Sequence, residues 1–192
     1  MCADDDGAGL PSTQDSAPFG IDTVTTTSLT VERFEAALPV SFPGHVLMTD
    51  ADTQAEATVL YDGVRSSKTW FYRDPREPDD SVFVAVANVS QLESGIPMER
   101  FLGDLVDACG TISGCDIVRA NGSTRSPVLY VHESYPFGTS GEVHSLVWGE
   151  RAWGLVYTFR TMSPQSLEEL VERFVQNVVA QSETEPSGSP TP

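Results

Sequence analysis

Short connections between strand-like segments constrain the fold of this chain more than any other feature. Segments rich in β-branched and aromatic residues recur along it, bounded by Gly, Asn, Asp and Pro. Because most connections are too short for the crossover that a parallel pair needs, we expect a largely antiparallel sheet. The predicted strands are residues 31–38, 58–61, 68–72, 81–89, 116–120, 128–134, 143–148 and 153–159, with a tight hairpin connection at 149–151.

Two further segments carry apolar residues at helical spacing. They are residues 98–109 and 167–178, in which apolar side chains recur at i, i+3, i+4, i+7 and i+8. Ser163 and Pro164 precede the second segment and suit the cap and the first turn of a helix. The sequence therefore predicts an α+β fold, a largely antiparallel β-sheet with two amphipathic helices packed on it.

The composition divides the chain into one domain and two arms. Residues 1–27 contain five Asp and no Lys or Arg, and residues 181–192 are mainly Ser, Thr, Pro and Glu. Such segments bury too little apolar surface to offset the entropy of ordering. We expect a disordered acidic tether at 1–27, a single globular domain at 28–180 and a disordered tail at 181–192.

The net charge limits the partners of this chain. With 28 acidic and 11 basic residues, its formal charge is -17, which repels phosphate backbones and anionic lipid headgroups. No apolar run approaches the roughly 20 residues that cross a bilayer. Nucleic acid is not expected as a partner, and membrane contact is expected only through an attached lipid.

The stretch from Cys109 to Cys115 contains two of the three cysteines. Cys109 ends the first predicted helix and Cys115 begins the next strand, and a reversal there can bring the Cα atoms within the roughly 4.4–6.8 Å of a disulfide. A redox motif would have two intervening residues at a helix start, and a zinc site would need four ligands. The pattern favours a structural disulfide, typical of oxidising compartments, with unlinked buried thiols as the main alternative.

Cys2 suggests how an oxidising location could arise. A cysteine directly after Met and before an acidic arm is what is left when a lipoprotein signal is removed up to its acceptor cysteine. We interpret Cys2 as a lipidation site that anchors an extracytoplasmic domain to the cell membrane. The alternative is that Cys2 is simply the second residue of a cytosolic protein.

The order of these features resembles a known family. An acidic arm after a cysteine, the stretch LPVSFPG at 38–44, a helix after a long strand, and a closing strand, hairpin and helix at 143–179 are similar to the LpqN-type lipoproteins of actinobacteria. That family has a PsbP-like fold, an antiparallel sheet flanked by helices, and the similarity covers about residues 28–180. The resemblance implies a cell-envelope location and a binding or accessory role, and it carries over no catalytic residue.

Two histidines form the sharpest candidate site. His132 and His144 lie on neighbouring predicted strands, and a symmetric hairpin would place them opposite each other, with Tyr130 opposite Leu146. Such a pair could bind a metal ion, or the two imidazoles could titrate together at about pH 6. The sequence offers no evident third ligand, so we expect two half-exposed strand histidines, with no metal and no cofactor.

Other patterns of catalysis or cation binding are incomplete. Asp50, Asp52 and the acidic loop at 74–80 lack the spacing of a calcium loop, and neither Ser113 nor Ser140 lies in G-x-S-x-G. We therefore expect no enzymatic activity. The predicted function is a lipid-anchored, extracytoplasmic binding module that recognises a protein or a cell-envelope component. The alternative is a carrier or sensor of a small apolar ligand bound between sheet and helices.

Overall fold

The computed structural model describes residues 28–48, 63–76, 83–120, 128–135 and 141–184. In these ranges the chain forms three helices and eight strands. The helices are α1 (Val31–Ala37), α2 (Met98–Gly110) and α3 (Pro164–Thr184). The strands are β1 (Ser41–Phe42), β2 (His45–Leu47), β3 (Val64–Arg73), β4 (Phe83–Leu92), β5 (Cys115–Ala120), β6 (Val128–Tyr135), β7 (Gly141–Glu150) and β8 (Leu155–Thr161).

The described strands make one antiparallel sheet, which confirms the predicted α+β class. Their order is β1-β2-β3-β4-β8-β7-β6-β5, so the last strand along the chain lies between β4 and β7. Strands β3 to β8 correspond to six of the predicted segments, and the segment at 58–61 lies outside the described residues.

The connection between β7 and β8 differs from the prediction. Gly149 and Glu150 still pair with Val156 and Leu155 in the sheet, so the predicted tight turn at 149–151 is wrong. The chain reverses over residues 151–154 instead. There Gly154 has a φ of 61°, a left-handed conformation that glycine adopts without steric cost.

Residues 31–38 were predicted as a strand, and this prediction is wrong because residues 31–37 form α1. Phe34, Ala37 and Leu38 are buried at the i, i+3, i+4 spacing of one helix face. The Thr30 side chain accepts a hydrogen bond of 3.3 Å from the backbone N–H of Arg33 and so caps the first turn. The sheet therefore carries three helices in the described residues, where two were predicted.

Both faces of the sheet are covered. Helices α1 and α3 pack on one face, where the larger core includes Phe34, Trp148 and Phe174. Helix α2 packs on the other face, over a smaller core that includes Phe101 and Val147. None of the helices in the described ranges is both long and apolar enough to span a bilayer.

Side-chain hydrogen bonds support both ends of α3. The Ser163 hydroxyl accepts a hydrogen bond of 3.1 Å from the backbone N–H of Ser166, which confirms the predicted cap. At the other end the helix continues to Thr184, past the predicted start of the tail at residue 181. Ser182 supports this last turn because its hydroxyl donates to the carbonyl of Val178 at 3.0 Å.

The cysteine pair lies where α2 meets β5. The sulfur atoms of Cys109 and Cys115 are 1.97 Å apart and the Cα atoms 5.4 Å apart, so the predicted pair is confirmed at disulfide distance. Gly114 allows the reversal between them, since its φ is 85° and a Cβ there would lie 2.8 Å from the carbonyl oxygen of Ser134. The bond links helix α2 to β5, the edge strand of the sheet.

Candidate metal centre

His132 and His144 lie opposite each other on β6 and β7, as the symmetric hairpin predicts. The same register pairs Tyr130 with Leu146. The two imidazole rings stack, with centroids 4.8 Å apart and planes inclined by 13°. The sheet therefore brings the two predicted residues together.

Strand alternation determines which face the histidines occupy. Leu146 and Trp148 belong to the core under α1 and α3, and His144 lies two and four residues before them on the same face. On its other side His144 pairs with Thr161, three residues before the first residue of α3. The histidine pair thus lies at the end of the face that α1 and α3 cover, where β8 leads into α3.

Glu142 adds a carboxylate to the pair. Its Oε2 atom lies 3.5 Å from Nε2 of His144 and 4.0 Å from Nε2 of His132. One donor atom from each of the three residues lies within 4.8 Å of the other two. The third potential ligand, which the sequence left unassigned, is therefore Glu142. The signal was the Glu-x-His spacing on a strand, because residues two apart lie on the same face.

The imidazole nitrogens that face Glu142 are buried and make no hydrogen bond within the part of the chain that the structure describes, although one of them lies at ion-pair distance from the carboxylate. This holds for Nε2 of both His132 and His144. A buried polar atom without a partner costs about 1–3 kcal/mol, so such atoms are rare in folded proteins. A metal ion bound at these lone pairs would satisfy both.

Tyr130 holds the other nitrogen of His144. The Tyr130 hydroxyl lies 2.7 Å from Nδ1 of His144. Burial, and secondarily the charge of Glu142, raises the pKa of Tyr130, so the side chain remains a neutral phenol at pH 7. If Nε2 of His144 bound a metal ion, Nδ1 would carry the proton and could donate it to the phenol oxygen. Tyr130 therefore orients the His144 ring and can accept a proton from Nδ1, which is compatible with a metal ion at Nε2.

The protonation state of His144 also suits metal binding. Burial, and then the neighbouring His132, lowers the pKa of His144, although Glu142 acts in the opposite direction. At neutral pH the imidazole is therefore uncharged, which is the form that binds metals. The side chain of Glu142 is 63% exposed and that of His144 only 6%, so the cluster opens to solvent on the carboxylate side.

Two imidazoles and one carboxylate form a donor set typical of zinc and related divalent ions. Ligand bonds of about 2.0–2.2 Å in tetrahedral geometry place donor atoms roughly 3.3–3.5 Å apart. The observed separations of 3.5 and 4.0 Å from Glu142 to the imidazoles are close to this range. The three donor atoms lie within 4.8 Å of one another and the two rings are nearly parallel, so both imidazoles would have to rotate to direct their lone pairs at one ion.

The third histidine lies elsewhere. His45 is on β2, where its ring stacks on Phe42 at 4.2 Å and its Nδ1 lies 2.8 Å from the carbonyl oxygen of Pro43. Strand β2 is separated from β7 by three strands. His45 is therefore not part of the cluster and provides a matched control for it.

The other sequence candidates gain no support. Asp74 accepts hydrogen bonds from Arg76, and these hold the pKa of Asp74 at about 2. The Asp74 carboxylate is therefore already hydrogen-bonded to Arg76 within a turn. Ser113 lies in an exposed turn, while Asp50, Asp52 and Ser140 lie outside the described residues.

A surface groove of about 380 Å³ lies beside the start of α1. Its lining includes Val31, Leu155 and Lys68, with Trp153 at one side. Trp153 was predicted to lie on a strand, but it lies in the turn before β8 with 43% of its surface exposed. The space between the sheet and helices α1 and α3 is instead filled with packed side chains.

Comparison with known proteins leaves the family open. No protein-family model, curated protein or solved structure matches the chain. The similarity to LpqN-type lipoproteins and the PsbP-like assignment therefore stay predictions. The α+β class rests on the observed sheet and helices alone.

Proposed function

We propose that this chain is a non-catalytic binding domain that captures a divalent transition-metal ion, preferably Zn²⁺, at His132, Glu142 and His144. The observation that supports this proposal is the pair of buried Nε2 atoms that make no hydrogen bond among the described residues and lie 3.5 and 4.0 Å from one carboxylate. Nitrogen and oxygen donors in this combination suit zinc better than calcium or magnesium, which prefer oxygen ligands alone. The solvent-facing side of Glu142 provides the entry for the ion.

We also propose that the domain works outside the cytosol, anchored to the cell membrane by a lipid on Cys2. The Cys109–Cys115 pair at disulfide distance supports this location, because disulfides persist in oxidising compartments. Residues 1–27 would serve as the tether, although they and Cys2 lie outside the described residues. In this position the domain would act on a protein or cell-envelope partner, with the metal site on the exported side.

The anchor can be tested on protein from its native host. We expect mass spectrometry of the mature chain to show Cys2 at the N-terminus with the added mass of lipid. A mature chain with an unmodified thiol at Cys2 would contradict the anchor and leave the metal site unaffected.

Zinc binding can be measured by isothermal titration calorimetry on metal-stripped protein near pH 7, in a Cys2→Ser background that removes the free thiol. We expect one Zn²⁺ per chain, and at least tenfold weaker binding in His144→Ala, because one of three ligands is lost. His45→Ala is the matched control and should bind like the parent. Glu142→Gln should also weaken zinc binding. Since Glu142 is largely exposed, this variant should keep the fold of the parent protein.

The two outcomes that would overturn the metal site are distinct. Parent protein that takes up no zinc would exclude a functional site. Parent and His144→Ala proteins that bind zinc equally would place the ion elsewhere on the chain.

The alternative proposal, a carrier of a small apolar ligand, has weaker support. Such a ligand would use the groove beside Trp153, since the interior between sheet and helices is filled. The lining surface of this groove is mainly apolar, but the groove is open to solvent, whereas small-molecule sites usually bury most of the ligand. The metal cluster is therefore the better-supported site.

A further inference from the structure

We propose that the groove beside the start of α1 binds a basic segment of a partner protein, with a large apolar side chain of that segment packed against Trp153. This inference rests on the proposed function only in assigning a protein partner, and it does not depend on the metal site. The groove and the histidine pair lie at opposite ends of the face that α1 and α3 cover. Strand β8 begins at Leu155, which lines the groove, and ends at Thr161, which pairs with His144.

The shape of the groove suits a side chain of a protein better than a free small molecule. Its lining comes from the first residues of α1, from β3 and β4, and from Leu155. The lining surface is mainly apolar and the groove is open to solvent. Small molecules are usually bound in enclosed sites, whereas a protein partner covers an open apolar surface with its own residues.

Trp153 is the apolar residue that a partner would contact. It lies in the turn before β8 with 43% of its surface exposed, whereas the other two tryptophans, Trp70 and Trp148, are buried. Tryptophan is enriched among the residues that contribute most to protein interfaces, because its ring buries a large apolar area. An exposed indole beside an apolar groove therefore indicates a contact surface.

The charged side chains of the lining favour a positively charged partner. Lys68 forms an ion pair of 2.6 Å with Glu35 and lies 5.0 Å from the ring centroid of Trp70, so its charge is already compensated. Glu32 is exposed and makes no ion pair among the described residues. Hydrogen bonds from its own backbone and from Thr30 lower the pKa of Glu32, so this carboxylate is ionised at neutral pH. An Arg or Lys of the partner can pair with it.

The charge of the whole chain narrows the class of partner further. At -17, the chain attracts basic proteins and repels a second copy of itself, nucleic acid and anionic membranes. A basic segment that carries one large apolar side chain is therefore complementary both to the groove and to the charge around it.

Selection of random heptapeptides displayed on phage measures this preference. The target is the full chain in the Cys2→Ser background, at about 0.15 M salt so that unspecific attraction is screened. We expect the enriched peptides to combine a large apolar residue with Arg or Lys. The most enriched peptide, prepared synthetically, should bind Trp153→Ala at least about tenfold more weakly than the parent, because the central contact is lost. Trp153→Phe should recover part of the affinity, since it keeps an aromatic ring.

Matched variants locate the contact. Glu32→Gln should weaken peptide binding about two- to fivefold, the effect of one exposed ion pair. Glu168→Gln removes the same charge from an exposed position on α3, and Ile112→Ala truncates an exposed apolar side chain far along the chain from Trp153. Both should bind the peptide like the parent. Glu142→Gln should weaken zinc binding and leave peptide binding unchanged, so failure of the metal site and failure of the groove are distinguishable.

Several results would overturn this proposal. If no peptide were enriched, the groove would not be a peptide-binding surface, and if acidic or uncharged peptides were enriched, the partner would not be basic. Equal peptide affinity in parent and Trp153→Ala proteins would place the contact elsewhere. Analytical ultracentrifugation that showed a dimer of the parent, lost in Trp153→Ala, would assign the groove to a second copy of the chain instead.

Discussion

Replacing Phe34 with alanine is expected to lower the free energy of unfolding by about 3–5 kcal/mol. Phe34 is fully buried and is the residue through which α1 enters the aromatic core. Its ring centroid lies 5.0–6.2 Å from the ring centroids of Trp70, Trp148, Tyr157, Phe159 and Phe174. Helix α1 has only 7 residues, too few to be stable alone, so its position depends on this packing.

Urea unfolding monitored by tryptophan fluorescence measures this decrease in the free energy of unfolding. Val40→Ala is a suitable control, because Val40 is 74% exposed and its truncation should change stability by less than about 0.5 kcal/mol. Phe34→Leu should lose less than Phe34→Ala, since it leaves a smaller cavity. A loss below about 1 kcal/mol in Phe34→Ala would show that α1 does not pack as described.

Removing the disulfide is expected to lower the free energy of unfolding by about 2 kcal/mol in the chain-entropy model. The bond closes a short loop, with a sequence separation of 6 between Cys109 and Cys115. For a chain of this size, such a loss lowers Tm by about 4–8 °C. We therefore expect a reducing agent to lower the Tm of the parent and to leave that of Cys109→Ser unchanged.

Cys2→Ser provides the control for the effect of the reductant. It removes the third cysteine and should keep the full Tm shift of the parent. If the reductant left the Tm of the parent unchanged, the two thiols would not be linked in solution, and the support for an oxidising location would be lost.

Sequence periodicity predicted the longer elements well and the short ones poorly. Helices α2 and α3 carry apolar stripes over 13 and 21 residues, long enough for the helical period to be distinct. Helix α1 is shorter, and Val31 and Phe34 are residue types common in strands, so composition favoured the wrong element. Strands β1 and β2 have 2 and 3 residues, too few to show any alternation.

The group formed by His132, Glu142 and His144 was also predicted only in part, because local patterns in the sequence report only some of its features. Symmetric pairing around one hairpin was enough to place His132 opposite His144. Glu142 was not singled out from the sequence, although its spacing from His144 puts both on one face. The burial of the two Nε2 atoms depends on the surrounding packing, and no local pattern in the sequence reports it.

The central position of β8 has a consequence for how the molecule assembles. Among the described strands, one half of the sheet, β1 to β4, pairs with the other half, β5 to β7, only through β8. Without residues 155–161, these two halves would be separate ribbons, each with an open edge where β8 pairs. Joining the histidine-bearing half to the other half therefore requires β8, which lies near the C-terminal end of the chain.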